Sequence, residues 1–160
     1  LKFDFTFTGG LGGDLNFNFI FGSEEYLEYV GSQYNDVFAF YVDGVNVALT
    51  PVTASPITIN TINPSQNPSL YVNNSSGTYA TQMDGFTKAM QISLKDLSSG
   101  AHTMEFAIAD AGDAILDSWI FIQAESFSNI PTPTAVPEPA PLALFAAGLL
   151  AVISRRKFKK

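Results

Sequence analysis

The chain has 160 residues, 46% hydrophobic and 14% charged, with 14 Phe and 6 Tyr. It is long enough to bury roughly 70% of its extended surface in one domain, and too aromatic and weakly charged for a disordered one. Five of its eight bases are Arg155, Arg156, Lys157, Lys159 and Lys160. Residues 1–154 therefore set three bases (Lys2, Lys88, Lys95) against fifteen acids, a balance of −12 that argues against nucleic acid as a partner and for cations. With no cysteine, disulfides, thiolate catalysis and Cys-based zinc sites are excluded.

Phe3, Phe5 and Phe7 alternate with Asp4 and Thr6, the period of a strand with one wet face. The chain opens on Leu1 with this strand, so upstream sequence, including a signal peptide, is expected. After the glycine-rich turn at 9–13, Leu15, Phe17, Phe19 and Phe21 alternate with Asn16 and Asn18 and feed the acidic stretch Ser23-Glu24-Glu25-Tyr26-Leu27-Glu28. Asn35 and Asp36 open the next strand, Val37 to Val42, which is apolar on both faces as in the middle of a sandwich. Asp43-Gly44 suits a tight hairpin turn with Val45 to Leu49 returning. Ile57, Ile59 and Thr61 suggest a strand, and Asn63 to Ser76 reads as an exposed loop whose Asn73-Asn74-Ser75-Ser76 is loop chemistry. Tyr79 to Met83 and Phe86 to Leu94 read as a second hairpin. His102 to Ala109 and Ser118 to Phe127 are strands flanking a second acidic cluster, Asp110, Asp113 and Asp117. The expected fold is all-β: an antiparallel, jelly-roll-like β-sandwich over residues 1–127.

Beyond Phe127 the composition changes. Residues 128–139 hold Pro131, Pro133, Pro137 and Pro139 and read as an extended linker. The near-continuous apolar run in 140–154 reads as a short hydrophobic helix and a membrane segment, although it is below the ~20 residues of a comfortable span. The basic tail 155–160 would lie on the cytoplasmic side.

The order Val136-Pro137-Glu138-Pro139, apolar run, Arg155-Arg156-Lys157 resembles the PEP-CTERM sorting signal of Gram-negative bacteria. The resemblance implies that Pro137, Glu138 and Pro139 are recognised by an exosortase. Residues 140–153 would be a transient inner-membrane anchor, and Arg155, Arg156 and Lys157 part of its retention signal. It implies export to the cell surface or an exopolysaccharide matrix. The stretches 19–29, 35–44 and 107–118 resemble the choice-of-anchor L domain, which implies an extracellular β-rich domain without a secure biochemical activity.

The chemistry turns on the two acidic clusters. Glu24, Glu25, Asp36, Asp110, Asp113 and Asp117 are hard oxygen donors at strand ends, and calcium (Ca2+) is the candidate ion if the fold brings the clusters together. Glu24 and Glu25 would point to opposite faces of a regular strand, so both can ligate only if Gly22-Ser23 bends the chain. The alternative is that these carboxylates cap turns. A glycoside hydrolase would need two of them about 5–9 Å apart in a cleft, and nothing in the sequence separates a proton donor from a base. Carbohydrate binding to an exopolysaccharide is the second reading, with Tyr26, Tyr29, Tyr34 and Trp119 as candidate platforms against a core role; for Trp119, which follows the second acidic loop, the alternative is packing beneath it. His102, the single histidine, reads as a solvated turn residue, and no nucleophile-elbow sequence accompanies it.

Overall fold

The computed structural model describes residues 1–8, 10–112 and 115–129. The linker beyond residue 129, the apolar run, the basic tail, the Pro-Glu-Pro motif and Asp113 lie outside the described residues. Among the described residues ten strands form two antiparallel sheets. They are β1 (Lys2–Thr6), β2 (Gly13–Ser23), β3 (Val37–Val42), β4 (Val45–Asn46), β5 (Ile57–Thr58), β6 (Tyr71–Asn73), β7 (Gly85–Thr87), β8 (Met90–Leu97), β9 (Ala101–Ala109) and β10 (Ser118–Ile122). One sheet runs β1-β9-β3-β4 with β5 also on β3; the other runs β10-β2-β7-β6 with β8 also on β2. Strands remote in sequence thus lie side by side, β1 with β9 and β2 with β10. Among the described residues no helix is long and apolar enough to cross a membrane.

The alternation of β2 decides which face is core. Phe17, Phe19 and Phe21 are buried between the sheets and meet Phe38 and Phe40 of β3. Phe17 and Phe40 pack edge to face with centroids 4.7 Å apart, and Phe19 and Phe38 lie at 5.1 Å. Burying each such ring is worth roughly 1.5–3 kcal/mol. The opposite face of β2 is not wet. Asn16 and Asn18 are fully buried, and their amides bond to Ser93 and Ser128, and to Gln91 and Gln123.

The hairpin turn stands where Asp43-Gly44 places it, with φ of 50° and 81°, the left-handed pair that a two-residue hairpin requires. Its returning strand is only β4, two residues long, because Asn46 turns its side chain back onto the N–H groups of Phe40 and Ala48. The strand expected across Ile57 to Thr61 likewise stops at Thr58, where the Thr58 and Thr61 side chains cap a turn. The second hairpin is displaced. Tyr79 to Met83 is not a strand, and β7 pairs instead with β6 inside the stretch read as an exposed loop. Asn74 is the cause: 2% exposed, it donates to the Met83 carbonyl at 2.8 Å and accepts from Tyr79 N–H at 2.8 Å, folding residues 74–84 into a closed loop.

His102 is also placed differently from a solvated turn residue. It is 6% exposed and stacks on Phe5 with centroids 5.3 Å apart. Its Nδ1 lies 2.7 Å from Asp43 Oδ2 and its Nε2 2.8 Å from the Ser98 carbonyl oxygen. Both partners are acceptors, so the ring bonds to both only as the imidazolium, and the Asp43 and Ser98 bonds raise its pKa above the usual 6.5.

Candidate functional site

Strand register brings the acidic segments together. Val37 pairs with Ala109, so the chain just beyond this ladder sets Asp36 beside Asp110. Ser23 pairs with Ser118, so the next step sets Glu24 beside Asp117. The first ladder belongs to one sheet and the second to the other, so the two clusters meet at one end of the sandwich. The bend expected at Gly22-Ser23 falls just after Ser23, where β2 ends and a turn begins. Ser23 Oγ accepts from Glu25 N–H at 3.0 Å, helping to turn Glu25 inward while Glu24 continues along the ladder.

The six candidate acids therefore divide. Glu25, Asp36 and Asp110 each offer an oxygen within 4.8 Å of the others. Glu25 is 1% and Asp36 0% exposed, and Asp110 is exposed at the rim. Glu24 and Asp117 make a separate clasp: Glu24 N–H donates to the Asp117 carbonyl, and Asp117 N–H to Glu24 Oε2, both at 3.0 Å. This is the capping chemistry weighed as the alternative, and here it holds the β2 and β10 ends together. Asp113 lies outside the described residues.

Several groups around the triad carry no charge and are hard to find by searching for acids. Asp36 Oδ2 accepts from Ser118 Oγ at 2.5 Å and its Oδ1 from Ala111 N–H at 3.2 Å, so one carboxylate links the start of β3 to the start of β10 and the end of β9. Asn60 N–H donates to Asn35 Oδ1 at 3.0 Å, and Asn60 Nδ2 to the Ser32 carbonyl at 3.1 Å, fixing the loop that delivers Asp36. The sequence signal was slight: Ser23 and Ser118 directly flank the acids Glu24 and Asp117.

The Glu25 carboxylate accepts from Asp36 N–H at 3.4 Å, a long bond. Its pKa is raised from 4.5 to about 7, first by burial and then by the negative charge of Asp36, with Asp110 adding to it. Like charges set side by side are unfavourable unless a cation or a proton is shared. The donor set is all oxygen, two members are buried, and the third opens to solvent, which suits a hard cation. A hydrolytic pair fits less well, because Glu25 and Asp36 are closed off from a substrate.

The aromatic candidates also separate. Tyr26 is fully buried, with its hydroxyl donating to the Ile62 carbonyl at 2.7 Å. Tyr29 and Tyr34 pack edge to face at 5.3 Å. Trp119 does not lie beneath the acidic loop: it is 45% exposed and faces Phe121 on β10. Compared with known families, residues 1–128 match the model of the Choice-of-anchor L domain, and residues 135–157 match the PEP-CTERM protein-sorting motif. Among curated proteins and solved structures, none matches the chain.

Proposed function

The chain belongs to the Choice-of-anchor L domain family over residues 1–128, and from that premise we propose that it is a non-enzymatic cell-surface or matrix domain clamped by calcium. The PEP-CTERM motif marks an exported protein that an exosortase sorts. The calcium reading is carried by the convergence of Glu25, Asp36 and Asp110, with two of the three carboxylates buried beside each other. Calcium bound there would neutralise the cluster and tie the ends of β2, β3 and β9 across the two sheets. Catalysis is disfavoured by the burial of the same two acids.

An ion that binds the folded state stabilises it by mass action. For an extracellular-class site, about 10 mM calcium should raise the melting temperature on the order of 5–10 °C over the chelator-treated protein. Magnesium should do less, because it demands a tighter octahedral cage. A melting temperature indifferent to both chelator and calcium would remove the reading. Carbohydrate binding to an exopolysaccharide is the second reading, favoured by one observation: the exposed ring pair of Trp119 and Phe121, with centroids 6.0 Å apart.

A further inference from the structure

The outer face of the β10-β2-β8 sheet carries a depression of about 320 Å3 lined by Asn18, Ile20, Ala89, Phe121 and Gln123, with Phe19 and Ile122 completing it. Its position follows from register. Phe121 pairs with Ile20 and Trp119 with Gly22, so both rings stand on the face opposite the Phe17–Phe19–Phe21 core. Phe121 walls the depression and remains 40% exposed, and Trp119, tilted 40° to it, extends the aromatic surface along β10.

Beside this apolar hollow runs a row of side-chain amides across three strands' positions. Gln91 Nε2 donates to Asn18 Oδ1 at 3.1 Å, and Asn18 Nδ2 donates to Gln123 Oε1 at 2.9 Å. Burial of Asn18 at 0% exposure and its bonds on both sides hold this row rigid. Gln123 is exposed and accepts through Oε1, so the row does not use its Nε2 donor. Among the described residues no charged side chain lines the depression, although the chain as a whole carries −7.

We propose that this face binds a neutral polysaccharide, with one sugar ring seated in the depression against Phe121 and the chain continuing past Trp119. The inference rests on the carbohydrate reading and gives it a place and a ligand class. A pyranose has an apolar C–H face and a rim of hydroxyls, and the hollow offers an apolar wall headed by Phe121 with the exposed Gln123 amide at its edge. The volume is at the low end of the roughly 300–1,000 Å3 of small-molecule pockets, the size for a ring rather than a long segment. The acidic body disfavours anionic chains, and the described lining holds no carboxylate to pair with a cationic sugar, so uncharged glycans are the class that fits.

The chain has a single tryptophan, so its fluorescence reports this face directly. The full chain should be titrated with soluble β-glucan, dextran and galactomannan as neutral probes and with alginate as the anionic one. The expected result is a shift in Trp119 emission with at least one neutral probe and none with alginate. Phe121→Ala should weaken that binding at least tenfold with the melting temperature nearly unchanged; if it does not fold, Gln123→Ala is the second variant and should weaken binding several-fold. Binding detected by affinity electrophoresis that neither variant alters, or that moves no Trp119 signal, overturns this site while leaving the carbohydrate reading in place. No retention of any neutral probe overturns both, and retention of alginate alone overturns the ligand class.

Discussion

Glu25 is the residue on which the metal reading can be separated from a merely structural one. Without a cation its ionisation is opposed by burial and by Asp36, so between pH 4.5 and about 7 the folded chain holds a proton that the unfolded chain has released. The folded side binds more protons in that window, so metal-free stability falls as pH rises through it. Glu25→Gln removes the charge and keeps the shape. The variant should melt higher than the parent in chelator at pH 8, and its response to calcium should be lost or weakened at least tenfold in apparent affinity. A carboxylate that only caps a turn would give the opposite first result. His102 gives a second titration. Its pKa is raised, so its contribution is complete below about 6.5 and is lost as pH rises through the folded value. His102→Gln should flatten that part of the pH–stability profile without changing the calcium response, because Asp43 and the hairpin are remote in the fold from the acidic triad.

At the scale of elements, Asn74 makes the clearest prediction. Its side chain closes the 74–84 loop over the β6–β7 pair with a 2.8 Å bond to Met83 and longer ones to Tyr79 and Thr81 at 3.3 and 3.4 Å. Asn74→Ala leaves the buried Met83 carbonyl without its donor and should cost about 1–3 kcal/mol in denaturant unfolding. The same loop shows where the sequence is a poor guide. Alternation located β1 and β2, because a strand with one buried face must repeat every second residue, whereas the single strand read over Phe86 to Leu94 is divided between β7 and β8. It did not locate β6, whose Tyr71 and Val72 are hidden in an Asn-, Ser- and Pro-rich stretch, because there one buried amide outweighs local propensity. The site was legible in the same measure. Acidic residues at strand ends are visible in the sequence. Which of them meet depends on register between strands about 70–90 positions apart, and so Glu24 and Asp117 fall into a clasp rather than the triad.

For the whole molecule, the sorting motif marks an exported domain, its body is acidic, and the chain has no cysteine with which to staple the β-sandwich, which is the setting in which the proposed calcium clamp would act. The triad sits where such a staple would act, at an end of the sandwich that gathers strands from both sheets. The most direct test is a crystal structure grown with about 10 mM calcium, roughly tenfold above the weakest dissociation constants of extracellular modules, and read for anomalous signal. The account predicts an ion contacted by Glu25, Asp36 and Asp110 at roughly 2.3–2.6 Å. A well-ordered triad holding only water, or a proton shared between Glu25 and Asp36 in the same crystals, would contradict it.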